Sequence, residues 1–98
     1  MEGFGNMSTL INKTVKRVKN IPWQVIDQNT LILNPKESTA HELNETASWI
    51  WNQLEQELPM SDIVEKMCQT FDIDKATAEK DTTLFVDEMV MKGILDCQ

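Results

Sequence analysis

Residues Leu43–Trp51 constrain the fold more than any other stretch of this chain. Leu43 ends an extended segment, Asn44 can cap a helix, and Ile50 and Trp51 fall on the helix's inner side. An asparagine at that position accepts a hydrogen bond from the open N–H groups of the first turn, and Glu45 behind it suits the helix dipole. The chain therefore changes from strand to helix at one point, and the segments on either side can be read from it.

Upstream, Trp23–Ile26 and Thr30–Leu33 are short β-branched and apolar runs, and Asp27-Gln28-Asn29 between them supplies turn chemistry. A hairpin is the natural reading. Pro22 suits the beginning of an edge strand. Asn34-Pro35 opens a second turn that continues through Lys36, Glu37 and Ser38, after which Thr39–Leu43 returns as a third, polar strand. The stretch Lys13–Lys19 alternates with Val15 and Val18, so its end is strand-like, whereas residues 1–13, with Gly3 and Gly5, read as a flexible N-terminal segment.

Downstream, Ala47, Ile50, Trp51, Leu54 and Leu58 follow helical spacing on one face. Pro59 either ends that helix or begins the next, whose stripe is Met60, Ile63, Val64, Met67, Cys68 and Phe71. Asp72-Ile73-Asp74 breaks the pattern, and Asp74 can cap a third helix running from about Lys75 to Lys92. Its inner stripe is Ala78, Phe85, Val86 and Met89. Gly93 is placed to end it, with Ile94 or Leu95 folding back over the end. Strands followed by helices predict an α+β domain over residues 14–98, three helices packed on a small antiparallel sheet.

The 98 residues carry a net charge of −7, unevenly spread. Lys13, Lys16, Arg17 and Lys19 precede Asn20, and from there five lysines face fifteen acids, about −10 for the folded body. Such a body repels phosphate backbones and suits either a basic partner or simple solubility. A winged-helix DNA-binding regulator would need a basic recognition helix, and neither later helix supplies one, so no nucleic-acid partner is expected. No long apolar run marks a signal peptide or a membrane span, and a cytoplasmic protein without membrane contact fits best.

Catalytic chemistry is hard to find. His41 is the only histidine and reads as a surface residue of a polar strand. The carboxylates Asp62, Glu65, Asp87 and Glu88 have the spacing of solvated helix faces. No glycine-rich loop could hold phosphate, and no metal-ligand spacing occurs. Cys68 reads as a small core residue and Cys97 as a free thiol. We expect no enzyme activity, cofactor or metal. A second stripe on the third helix, Thr77, Asp81, Leu84, Glu88 and Met91, is left over. Leu84 and Met91 on it either widen the core or floor an exposed groove. The extra aromatic Trp49 is either a partial core residue or a partner contact.

Taken in order, these pieces resemble the PqqD-like family, the coenzyme PQQ synthesis protein D-like recognition elements for ribosomally made, later modified peptides (RiPPs). The matching residues are Trp23–Ile26, Leu31–Pro35, Leu43–Ala47 with Ile50-Trp51, Asp62–Val64, Phe71–Asp74, Asp81 with Phe85, and Gly93–Leu95. The turn after Asn34-Pro35 lacks the glycine common there, which would displace the start of the third strand. The resemblance implies a winged-helix-like domain, a three-stranded antiparallel sheet followed by three helices. It implies a non-catalytic peptide chaperone that binds a precursor's leader and presents it to a modifying enzyme, a radical-SAM protein or, in lasso-peptide systems, a leader peptidase. The leader would add a strand along Thr39, Ala40, His41, Glu42 and Leu43. A facing wall would come from Thr77, Lys80, Asp81, Leu84 and Glu88. The alternative is a structural subunit of a peptide-modifying complex that does not itself touch leader.

Overall fold

A computed structural model describes residues 13–34 and 37–98. The expected segment 1–13 therefore lies almost wholly outside the described residues, as do Pro35 and Lys36 of the second turn. The elements run β1 (Thr14–Arg17), β2 (Trp23–Ile26), β3 (Asn29–Asn34), β4 (Thr39–Leu43), α1 (Glu45–Gln53), β5 (Leu58–Pro59), α2 (Met60–Phe71), α3 (Lys75–Met91) and β6 (Leu95–Cys97). The antiparallel sheet has the order β2-β3-β4, with three helices after it, as the sequence suggests.

The hairpin β2–β3 closes on Asp27-Gln28, with Ile26 opposite Asn29. Asp27 takes φ 59°, a left-handed value that Asp tolerates better than most residues. In the second turn Ser38 takes φ 55°, and β4 still begins at Thr39, opposite Asn34. The turn therefore holds its register without glycine. On β3 the residues Thr30, Ile32 and Asn34 are buried, and the residues between them are not. Period-two alternation thus turns one face onto the helices.

α1 joins that face through Ser48. Its hydroxyl accepts from the Thr30 N–H at 2.9 Å and donates to the Leu43 carbonyl at 3.1 Å. Both bonds are buried, so the helix is tied to β3 and β4 at once. Ser48→Ala should leave the Thr30 donor buried without an acceptor and cost about 1–3 kcal/mol in urea denaturation. A loss below a few tenths would show that water reaches the site.

The sequence spacing that put Leu58 on the first helix is corrected by the structure. α1 ends at Gln53, where the Leu54 N–H turns back to the Trp51 and Asn52 carbonyls. Leu58 instead sits in β5 opposite Val15, and Pro59 leads directly into α2. A second sheet, β5-β1-β6, thereby gathers both ends of the described chain, with Val15 opposite both Leu58 and Cys97. Reciprocal bonds between Thr14 and Gln98 at 2.7 and 2.8 Å close it. Cys97 is half-buried there, and burial raises its thiol pKa.

α2 and α3 pack as a pair, burying Met60, Ile63, Val64 and Met67 against Ala78, Thr82, Phe85, Val86 and Met89. Asp74 caps α3, accepting from the Thr77 N–H at 3.0 Å, and this bonding lowers its carboxyl pKa. A carboxyl whose pKa is lower folded than unfolded stabilises above its unfolded value, about 3.9, and loses that contribution as pH falls through the folded one. Asp74→Asn keeps a good cap without the titration. Below pH ~4 the melting temperature of Asp74→Asn should therefore fall less steeply than that of the native chain.

At the other end the Gly93 N–H bonds the Val90 carbonyl and the Ile94 N–H bonds that of Met89, with Gly93 at φ 77°. This is the paired-bond helix stop that favours glycine, and it drives Ile94 and Leu95 into the core. Gly93→Ala should cost ~1 kcal/mol, read from the denaturation midpoint.

Candidate functional site: a groove beside an open strand edge

Among the described residues β4 hydrogen-bonds β3 on one side and ends the sheet on the other. Its pairing places Thr39, His41 and Leu43 on the helix-facing side, opposite Asn34, Ile32 and Thr30. Ala40 and Glu42 face outward, and Asn29 Nδ2 donates to Glu42 Oε2 at 3.1 Å. An edge strand of this kind keeps backbone donors and acceptors available to another extended chain.

Two adjoining hollows lie between this edge and α3. One, of about 340 Å³, is lined by Ala40–Asn44, Ala47, Phe85, Glu88 and Met89. The other, of about 290 Å³, is lined by Asn44, Thr46, Ala47, Ile50, Asp81, Leu84, Phe85 and Glu88. They share Asn44, Ala47, Phe85 and Glu88, so they form one continuous groove. Its position follows from the sequence of elements. The capped start of α1 sets the floor directly after β4, because Asn44 accepts from the Ala47 N–H at 2.9 Å and stops the strand there. α3 then crosses opposite as the wall.

The expected site residues divide. Ala40, His41, Glu42 and Leu43 on β4 and Asp81, Leu84 and Glu88 on α3 are brought together around the groove. Thr39 begins the same strand but does not line either hollow. Thr77 and Lys80 lie toward the start of α3, exposed and outside both. Leu84 is 59% exposed and Met91 81% exposed, so these two do not widen the core. Leu84 lines the groove, and Met91 does not.

Sequence reasoning missed the floor: Asn44, Thr46, Ala47, Ile50, Phe85 and Met89. Five of these belong to the cap or to stripes assigned to the core. Phe85 does both jobs, packing inward while presenting an edge to the groove. The available signal was the adjacency of Phe85 to Leu84 on a helix facing the strand-to-helix junction.

Trp49 packs edge-to-face on Phe71 at 5.4 Å and is half-buried, so it is a partial core residue. A larger hollow of about 530 Å³ lies on another face, between α2 and α3, and includes Cys68 and Lys75. Its lining comes from helices and no strand residue contributes to it, so an extended peptide lying in it gains no backbone pairing from the lining. Among the described residues no cluster of three or more His, Cys, Asp or Glu could hold a metal, and no helix is long and apolar enough to cross a membrane.

Fold and groove together define a class, a small α+β domain with an open sheet edge running beside a helix wall. The model of the family described as coenzyme PQQ synthesis protein D (PqqD) matches residues 29–95. The chain belongs to this family. No curated protein matches its sequence.

Three solved structures share the fold. TbiB1 in complex with the TbiA(beta) leader peptide has a TM-score of 0.74 at 25% identity, covering 83% of this chain and 94% of that one. The PqqD truncation of Methylobacterium extorquens PqqCD, described as a functional and stand-alone RiPP recognition element, has a TM-score of 0.71 at 18% identity, with coverages of 85% and 88%. Lasso peptide synthetase B1 complexed with the leader peptide has a TM-score of 0.68 at 17% identity, with coverages of 84% and 96%. The last two, at their low identities, establish the fold alone.

Proposed function

We propose that this protein is a non-catalytic chaperone for a ribosomally made precursor peptide. It binds the leader by strand addition to β4 and presents it to a modifying enzyme of the radical-SAM or leader-peptidase type. The observation that carries this reading is the apolar side chain of Leu84, exposed on the wall of a groove that runs along an open strand edge. Backbone pairing supplies affinity in this mode, and side chains of the added strand enter neighbouring pockets. Family membership supports it, as does the leader-bound state of TbiB1.

In this reading Ala40–Leu43 pair with the leader. Leu84 and Phe85 receive its apolar side chains, and Asp81 and Glu88 border them. Thr39 extends the pairing strand, and Thr77 and Lys80 meet a leader long enough to run past Asp81. The domain that does this work spans residues 14–98 and acts in the cytoplasm.

The test is fluorescence anisotropy of a labelled leader, taken from its precursor peptide, titrated with the chain alone. Saturation at micromolar protein is expected. Binding that requires the modifying enzyme would point instead to a structural subunit of the enzyme complex.

A further inference from the structure

The ionisable side chains around the groove are of one sign apart from His41. Glu42, Asp81 and Glu88 line it, and among the described residues no lysine or arginine does. Asp81 and Glu88 lie one turn before and one turn after Leu84, so each apolar contact on the wall is bracketed by carboxylates. Glu42 stands on the outward side of the strand that the incoming chain would pair with. Lys80, the nearest cation along α3, is exposed and outside both hollows.

An added strand points successive side chains to opposite sides. Its helix-facing side chains meet Leu84 and Phe85, and its outward ones run beside Glu42. A lysine or arginine among them can lay its apolar stem on Leu84 and carry its charge to Asp81 or Glu88. An acidic residue meets a like charge on either side, Asp81 or Glu88 when it faces the helix and Glu42 when it faces outward.

We infer that this groove selects a leader segment in which apolar residues alternate or adjoin with lysine or arginine, the basic groups being read by Asp81, Glu88 and Glu42. The inference rests on the leader-binding reading and adds the chemistry of the sequence bound. Charges at the border of an interface act more on discrimination and salt dependence than on raw affinity. A few exposed pairs of opposite sign therefore give a preference of about tenfold, not of many orders.

The experiment titrates the ¹⁵N-labelled chain with three short synthetic peptides, in which leucine alternates with lysine, glutamine or glutamate. The lysine peptide should bind about tenfold tighter than the glutamate peptide, with glutamine between them, and the spread should narrow at high salt. In the triple variant Glu42→Gln, Asp81→Asn and Glu88→Gln the lysine and glutamine peptides should converge. Equal affinity for all three in the native chain would overturn the charge selection while leaving strand addition standing. No amide shifts along β4 with any of them would remove strand addition, and the inference with it.

Discussion

Leu84→Glu should weaken leader binding by about 2 kcal/mol, roughly thirtyfold, while the domain keeps its fold. Leu84 is a large apolar group that the isolated domain leaves mostly in water. Covering such a group by a leader side chain is favourable, and that term disappears with the leucine. The new carboxylate would stand between Asp81 and Glu88 and lose hydration under the bound peptide, so the effect is larger than that of Leu84→Ala. Stability changes little because the site is exposed. The added like-charge neighbours on α3 cost only a few tenths of a kcal/mol, a shift of a few degrees at most. A calorimetric titration and a thermal melt of the same variant decide it. Collapse of the melt would place Leu84 in the core and the groove elsewhere.

Trp51→Ala should have the largest effect on stability, about 3–5 kcal/mol. Trp51 is fully buried and meets Trp23 edge-to-face at 5.9 Å. The Arg17 guanidinium lies 4.3 Å from the Trp51 ring centre and 4.9 Å from that of Trp23, and its Nη2 donates to the Trp51 carbonyl at 2.5 Å. Removing the indole thus opens a cavity and takes away one face of the cation's site together. Burial lowers the Arg17 pKa and the Glu55 carboxylate opposes the shift, but an arginine remains charged at neutral pH in any case. A charge left beside an unfilled cavity adds to the cost. Small domains hold roughly 5–15 kcal/mol in total, so the variant should lose most of its cooperative transition. Trp51→Phe keeps an aromatic platform and removes a buried Nε1–H that has no protein acceptor among the described residues. It should cost clearly less. Equal losses in the two variants would mean that the platform contributes nothing.

Much of this architecture was legible because single residues dictate it locally. Asn44 and Asp74 cap their helices as their types predict, Gly93 stops α3, and Asp27 turns the hairpin. The second sheet was not legible. β5 and β6 are too short to show alternation, and Leu58 fits helical spacing as well as it fits β5. The run Leu31-Ile32-Leu33 is apolar on both faces, so no period shows that Ile32 is buried while Leu33 is 45% exposed. At the groove, the second stripe of α3 could be named because a leucine beside carboxylates breaks the usual helix pattern, and the strand because its polar run follows the turn at Asn34-Pro35. Ala47, Ile50 and Phe85 could not, since each serves core and groove at once and their residue types signal only core. Thr77 entered the wall from its place on that second stripe and Lys80 from the family resemblance, and neither shows where along α3 the strand passes.

The most direct test of the central claim is amide hydrogen exchange on the ¹⁵N-labelled chain, with and without its precursor's leader. Strand addition predicts new protection within Thr39–Leu43, with shifts along Asp81–Glu88 and little change on α2. Protection of α2 instead, with β4 unchanged, would contradict it and move the binding surface to the hollow between α2 and α3.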